Sequence, residues 1–330
     1  MGMNGIGTYS YYFSLLSDEQ KRIYRALLSA IKRHTKKIRM PIKPINELSK
    51  IFNYIQLDNP LIFYVSGFSQ SNDLYKGKCE VFPEYTFARH FINEKTGEII
   101  NSLQVFDAVK AKSDIEKEQY IHDYCLNNLS YDYKGNEASH SVIGAVLNRT
   151  AVCEGIAKFA KLALDYLDVK SLVVSGKANN PVYEDEAMEP HAWNIVDITG
   201  AFYHLDVTFD MSVKRKTNRY DYFNLSDKDI KKDHAIIDPV PACSTKGKDY
   251  YSVHSQCVHS PSEFERYIAA RLKRGEKNIA VKLTDVTYSE KFVDKLLNIA
   301  QQQYSAIHKR GVTVEISSNL SQMVFEIIFR

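Results

Sequence analysis

Cysteine is scarce in this 330-residue sequence, and its five positions are widely spaced without a CxxC pair: Cys79, Cys125, Cys153, Cys243 and Cys257. An odd, scattered set argues against a disulfide framework and favours a reducing compartment. No apolar run reaches the length of a transmembrane helix, which predicts that no segment spans a membrane. No secretory signal is legible at the start, so the sequence predicts the cytoplasm, with a signal already removed as the alternative.

A large net charge and the common cofactor motifs are also missing. The formal net charge is only +3, which indicates no nucleic-acid partner. HExxH, P-loop and GxGxxG motifs are absent, as is acidic spacing of the EF-hand kind, so no cofactor, metal or calcium is expected. His254, Cys257 and His259 with Cys243 could ligate zinc, but their spacing suits no usual structural site.

The chain has the composition of an ordinary globular protein, with 44% hydrophobic and 25% charged residues. We expect three regions: 1–110 with helices and strands, a core at 111–245, and a small α+β domain at 246–330. In the first region, a capping box at Ser17 predicts a helix, residues 46–57 a second, and residues 61–65 and 78–87 strands around a polar loop at 67–77. The last region predicts the order β-α-β-α-β-β.

Cys153 stands where a helix is predicted to begin. Apolar residues then recur with the spacing of one buried helical face, at Ile156, Phe159, Ala160, Ala163, Leu164 and Leu167. The free N–H groups and dipole of a helix start favour an anion, so this position should favour a thiolate and expose a nucleophile. The alternative is a small buried residue that packs a helix start.

A predicted hairpin supplies partners for this thiol. Residues 191–198 and 201–209 are predicted as two strands joined at Thr199-Gly200. His191 and Trp193 share one face. A two-residue or four-residue loop places Asp206 on that face, diagonal to His191 at about 7–8 Å between α-carbons. A three-residue loop would place Asp206 on the other face, and a surface-facing His and Asp at a sheet edge is the structural alternative.

The segments AVCEGIAKFAKLALDYLDV, HAWNIV and YHLDVTFD, in this order, resemble the transglutaminase-like superfamily in the branch found in many bacterial proteins. The similarity runs from about His122 to Tyr222. It implies an α+β, papain-like core, in which a helix headed by the cysteine packs on an antiparallel sheet. It also implies a nucleophile at Cys153, a base at His191 and an orienting acid at Asp206, the order derived above from spacing.

The preferred function is a cysteine-dependent enzyme that acts on an amide bond of a protein or peptide through a thioester. Water or an amine would accept the acyl group, and we favour hydrolysis of peptide bonds. The Cys153 N–H is the natural first oxyanion donor, with Tyr131, Tyr133 and His140 as candidates for the second. Trp193 either lines the acyl pocket or packs beside the histidine. The rival interpretation is a catalytically silent binding or scaffold protein; the oligomeric state is open.

Overall fold

The computed structural model describes residues 8–179, 187–286, 289–309 and 311–330. The chain divides into two compact units, one formed by Met1–Ser175 with His191–Gly200 and the other by Gly176–Pro190 with Ala201–Arg330. Helices and antiparallel strands both contribute to the architecture, which confirms the predicted α+β class. The three-region division stays a prediction.

The first unit begins with helices and a three-stranded sheet. Its helices are α1 (Tyr11–Ser14), α2 (Asp18–Lys32), α3 (Ile45–Asp58), α4 (Arg89–Ser102), α5 (Asp114–Asn128) and α6 (Cys153–Tyr166). Its strands are β1 (Ile38–Pro41), β2 (Val65–Asp73), β3 (Lys78–Tyr85), β4 (Ser130–Tyr131) and β5 (Thr150–Ala151), followed by β6 (Ser171–Ala178) and β7 (Glu189–Ile198), which each run from one unit into the other. The Ser17 side chain accepts a hydrogen bond from the Gln20 N–H and so caps α2 as predicted.

The strand prediction for residues 61–77 is wrong. β2 begins at Val65 and continues through the polar residues that were expected to form a loop. It pairs antiparallel with β3 along this length, from Val65 opposite Tyr85 to Asp73 opposite Lys78. Polar residues can form an edge strand because the neighbouring strand satisfies their backbone groups, so local composition does not reveal it.

Helix α6 and strands β6 and β7 form the part of the first unit that positions the cysteine. The predicted apolar face of α6 is buried along its whole length, with no residue more than 3% exposed. The Asn194 side chain of β7 donates hydrogen bonds to the backbone oxygens of Ala157 in α6 (2.9 Å) and Leu172 in β6 (3.4 Å). The helix headed by Cys153 therefore packs on strands, as the resemblance implied.

A buried carboxylate anchors the start of the chain to α3. Asp58 accepts hydrogen bonds from the backbone N–H groups of Tyr12 (3.1 Å) and Phe13 (2.9 Å) and from the Tyr24 hydroxyl (3.1 Å). Burial raises the pKa of Asp58 to about 6, although these hydrogen bonds act in the opposite direction. The folded chain therefore holds a proton on Asp58 at a pH where the unfolded chain has released it.

We expect the free energy of unfolding to decrease as the pH rises from about 4 to 6, because the folded state gives up this proton only at about pH 6. In Asp58→Asn, the decrease of the free energy of unfolding per pH unit should be smaller than in the unchanged chain. The difference should be at most about 1.4 kcal/mol per pH unit, the value for one proton. Chemical denaturation followed by circular dichroism measures both slopes. Asp168→Asn is the control, because Asp168 is exposed at φ +59°, which asparagine tolerates. Equal slopes in Asp58→Asn and the unchanged chain would contradict the prediction.

The second unit holds the remaining elements, of which the helices are α7 (Val207–Val213), α8 (Asp227–Ile230), α9 (Tyr250–Val253), α10 (Pro261–Lys273) and α11 (Glu290–His308). Its strands are β8 (Ala201–Leu205), β9 (Phe223–Leu225), β10 (His234–Ile236), β11 (Cys257–Val258), β12 (Asn278–Leu283), β13 (Val314–Asn319) and β14 (Val324–Phe329). β10 pairs antiparallel with the end of β6, and β8 with β9. The order from β11 to β14 is the predicted β-α-β-α-β-β, and these elements share one hydrophobic core.

The predicted strand at residues 201–209 is too long. β8 ends at Leu205, and α7 begins at Val207 with Asp206 as its N-cap. The Asp206 Oδ1 atom accepts a hydrogen bond from the Phe209 N–H at 3.0 Å. An aspartate that caps a helix satisfies one of the free N–H groups of its first turn, and this local bond ends the strand.

Candidate active site

Cys153 is the first residue of α6, and it is partly exposed. The start of this helix lies against a short 3₁₀ helix (Glu137–His140), since a Cβ atom added at Gly155 would lie 2.2 Å from the backbone oxygen of Ser139. The same oxygen accepts a hydrogen bond from the Val152 N–H at 3.1 Å. Only glycine allows this close approach, which fixes the position of the helix start and so of the thiol.

Tyr131 lies near Cys153. Strands β4 and β5 pair in parallel, with Tyr131 opposite Ala151, two residues before the cysteine. The Tyr131 hydroxyl lies close enough to Cys153 to interact with the charge of its thiol and with its backbone N–H. Burial, followed by the charge of Cys153, raises the pKa of Tyr131 to about 12, although the Cys153 N–H acts in the opposite direction. Tyr131 is therefore a hydroxyl donor at neutral pH.

The imidazole of His191 lies against the indole of Trp193. The two rings are on the same side of β7, with centroids 5.9 Å apart and planes 16° apart. Trp193 is 1% exposed, whereas His191 is partly exposed. Trp193 therefore packs beside the histidine, and its role in an acyl pocket stays a prediction.

Asp206 has a partner that the sequence analysis missed. Its Oδ2 atom lies 3.0 Å from Nε2 of His234, and Nδ1 of His234 lies 2.6 Å from Oδ1 of Asp233. Burial lowers the pKa of His234, but the hydrogen bonds and charges of the two aspartates outweigh it and raise that pKa above its ordinary value. No sequence motif marks His234, because it lies 28 residues after Asp206 and arrives through the pairing of β10 with β6.

The family comparison agrees with this arrangement of elements. A sequence model described as the transglutaminase-like superfamily matches residues 104–207, which include Cys153, His191 and Asp206. This segment of the chain is therefore similar to the transglutaminase-like superfamily. A search of curated proteins finds no match.

The chain also has distant similarity to solved structures. A TGase is 14% identical at a TM-score of 0.33, with 56% of this chain and 53% of that chain covered. A candidate cysteine protease from Cytophaga hutchinsonii is 12% identical at 0.29, with coverages of 44% and 66%. A candidate protease from Parabacteroides distasonis is 14% identical at 0.26, with coverages of 43% and 36%. The chain thus spans about half the length of the TGase and a third to two thirds of the other two.

The other two candidate oxyanion residues have separate surroundings. Tyr133 is 89% exposed, and its ring packs edge-on against Tyr131. The Nδ1 atom of His140 lies 3.2 Å from Oε2 of Glu154, whose other oxygen lies 2.6 Å from the Lys158 ammonium group. Of the three candidates, Tyr131 is the one shown to interact with Cys153, and its role as a donor stays a prediction.

The four potential zinc ligands from the sequence analysis have separate partners. His254 bonds to a backbone oxygen of its own helix, His259 lies against Asp285, and Cys257 lies against Ser252. Cys243 is buried, and its backbone N–H donates a hydrogen bond to Oδ2 of Asp227. The other oxygen of Asp227 lies 2.9 Å from Nε2 of His204. No described helix of the chain has both the length and the apolar character needed to cross a membrane.

Proposed function

We propose that this protein is a cysteine-dependent enzyme that cleaves or transfers amide bonds of proteins or peptides through a Cys153-His191-Asp206 triad. The observation that carries the proposal is the partly exposed thiol on the first residue of α6, with the Tyr131 hydroxyl near it. A structural cysteine at a helix start needs neither exposure nor a polar partner, whereas a nucleophile uses both.

The turn between β7 and β8 supports the assignment of Asp206 to the triad. Two residues separate the strands, and both have positive φ, +55° at Thr199 and +89° at Gly200. These angles are typical of a two-residue hairpin turn. Asp206 lies just past the end of β8 but keeps an extended backbone, so the register of this turn, continued by one residue, is expected to bring residue 206 opposite residue 193. Of the loop lengths considered from the sequence, this is one that assigns Asp206 to the face of His191.

In the proposed reaction, the Cys153 sulfur attacks the carbonyl carbon of the amide while His191 holds the thiol proton. Asp206 keeps the imidazole in the tautomer that can accept this proton. The tetrahedral intermediate collapses, the C–N bond breaks, and His191 gives the proton to the leaving amine. The thioester then reacts with water or with a second amine, and His191 first takes a proton from that acceptor and finally returns one to the sulfur.

The test is to trap the thioester from a peptide library and identify it by mass spectrometry of the intact and digested protein. We expect an acyl group on Cys153 and on no other cysteine, and none in Cys153→Ala. Water labelled with ¹⁸O and a labelled amine, offered together, identify the acceptor. We expect ¹⁸O in the released acid, which corresponds to hydrolysis.

Two other outcomes have definite meanings. A labelled amide product would favour transamidation and keep the triad. The chain could instead bind peptides without forming an acyl adduct at Cys153, under conditions where a thiol reagent reaches this residue. This result would contradict the proposed enzymatic function and favour a catalytically silent scaffold protein.

Tyr131 is proposed as the second oxyanion donor, because its hydroxyl already lies beside the Cys153 N–H and stays protonated at neutral pH. Removing one such donor typically costs about 10²–10³-fold in turnover. We expect Tyr131→Phe to lower the acylation rate by about 10²-fold, measured by single-turnover kinetics on the trapped peptide. Tyr133→Phe is the matched control, since the exposed Tyr133 has no contact with Cys153 that would serve this role. Equal rates for the two variants would contradict the assignment.

A further inference from the structure

A buried imidazole lies between two buried carboxylates in the second unit. His234 is 2% exposed, Asp206 0% and Asp233 2%. The two ring nitrogens of His234 face different aspartates, Nε2 toward Asp206 at 3.0 Å and Nδ1 toward Asp233 at 2.6 Å. The Phe209 ring packs over the imidazole, with centroids 4.5 Å apart. This arrangement is more than a packing contact, because both nitrogens are engaged with acceptors at hydrogen-bond distance.

The second carboxylate is itself held in place. Oδ2 of Asp233 accepts hydrogen bonds from the Tyr222 hydroxyl at 2.7 Å and from the Gln322 amide at 3.3 Å. The Asp233 backbone oxygen accepts from the Asn179 N–H at 2.9 Å. Asp233 is therefore a fixed point to which the ring of His234 is tied.

Both oxygens of Asp206 are also engaged within this unit. Oδ1 caps α7 through the Phe209 N–H, and Oδ2 meets His234. Two directional bonds, one to each oxygen, leave the carboxylate little freedom to rotate. A third bond, from the Asp206 N–H to the Tyr222 backbone oxygen at 3.0 Å, fixes the main chain at the same residue.

We propose that His234, tied to Asp233, is a positioning residue that holds the triad carboxylate of Asp206 in its working orientation and balances its charge. This inference rests on the proposed triad, which it extends by two residues that do not touch the substrate. With both nitrogens protonated, the ring donates to both aspartates and carries a positive charge. That charge offsets Asp233 and leaves one negative charge, on Asp206, to stabilise His191 when His191 is protonated.

The charged and titratable groups around His234 are few among the described residues. Asp206 and Asp233 bond to it, and the Tyr222 ring lies 5.7 Å away. His204 lies near enough to interact with its charge, and in the proposed triad His191 faces the same carboxylate. Of these groups, only the two aspartates favour the charged ring of His234.

Two variants of His234 distinguish the effect of its hydrogen bond to Asp206 from the effect of its hydrogen bond to Asp233. In His234→Gln, the side-chain amide nitrogen can reach the position of Nε2 and still donate to Asp206. In His234→Asn, it can reach only the position of Nδ1 and donates to Asp233. Asp233→Asn keeps the ring of His234 but removes the negative charge that faces Nδ1. This variant replaces His234→Asn in the test if His234→Asn does not fold.

The readout is the rate of iodoacetamide reaction at Cys153 against pH, measured by mass spectrometry on the full chain, since it needs no known substrate. In the unchanged chain we expect appreciable reaction already near pH 6, because an ion pair with His191 supplies the thiolate. We expect His234→Asn to move the midpoint up by about one pH unit, which lowers the rate at pH 6 about tenfold. His234→Gln should move it by less than half as much, and Asp233→Asn by an intermediate amount.

The outcomes distinguish this inference from the triad itself. If Cys153 in the unchanged chain reacts no faster than Cys257 at pH 6, the triad fails and the inference fails with it. If the unchanged chain behaves as expected but folded His234→Asn and Asp233→Asn keep its midpoint, His234 is only structural and the inference alone is overturned. A loss of thermal stability without a change of midpoint has the same meaning.

Discussion

Replacing Cys153 with alanine is expected to lower the rate of acyl transfer from a peptide amide by about 10⁴-fold or more. The sulfur is the only atom in the proposed mechanism that bonds to the substrate carbon, so no other group can form the thioester. The fold should be unaffected, because alanine suits the first turn of a helix and the thiol is partly exposed. Single-turnover kinetics on the peptide that acylates the unchanged chain measure the effect.

Cys257→Ala is the matched control for this prediction. Cys257 is also partly exposed, and burial raises the pKa of its thiol although the hydrogen bond with Ser252 acts in the opposite direction. It lies in the C-terminal sheet and has no part in the proposed chemistry. We expect its replacement to leave the rate within about twofold. A Cys153→Ala chain that keeps more than a hundredth of the original rate would contradict the mechanism.

Replacing Arg219 with methionine is expected to lower the free energy of unfolding by about 3–5 kcal/mol, the cost of leaving buried charge without its partner. Arg219 is fully buried and binds Asp221 through two bonds, Nε to Oδ1 at 3.0 Å and Nη2 to Oδ2 at 2.7 Å. Its Nη1 atom also lies 3.8 Å from Oε2 of the buried Glu326. Without the guanidinium, two carboxylates stay in the interior with no cation among these contacts.

Chemical denaturation of the variant, followed by circular dichroism, measures this loss. Arg219→Lys should lose less, because lysine keeps the charge but cannot make the paired bonds to Asp221. Arg215→Met is the control, since Arg215 is exposed four residues earlier in the chain and should change stability by less than about 0.5 kcal/mol. A midpoint for Arg219→Met equal to that of Arg215→Met would show that the buried ion pair does not stabilise this unit.

Elements with strong local signals were predicted correctly from the sequence. The apolar spacing after Cys153 defined α6, and Thr199-Gly200 marked the position of the hairpin turn, because both depend on residues that are neighbours in the chain. The start of α2 was also predicted, since the capping box at Ser17 is a local signal.

The errors have a common physical origin in longer-range contacts. Strand β2 is polar and is stabilised by its pairing with β3, and β8 ends early because Asp206 caps α7. The position of Tyr131 near Cys153 depends on the pairing of β4 with β5, and Tyr131 was only one of three candidates in the sequence. His234 was missed entirely, because nothing in its local sequence indicates the two aspartates that it binds.

The central claim is that the thiol at the start of α6 is a nucleophile paired with an imidazole. The most direct measurement is the reaction of all five cysteines with limiting iodoacetamide at pH 6, resolved residue by residue by mass spectrometry. We predict that Cys153 is modified at least tenfold faster than Cys257 and that His191→Ala removes this difference. Equal modification of Cys153 and Cys257, or a Cys153 rate that is unchanged in His191→Ala, would contradict the account.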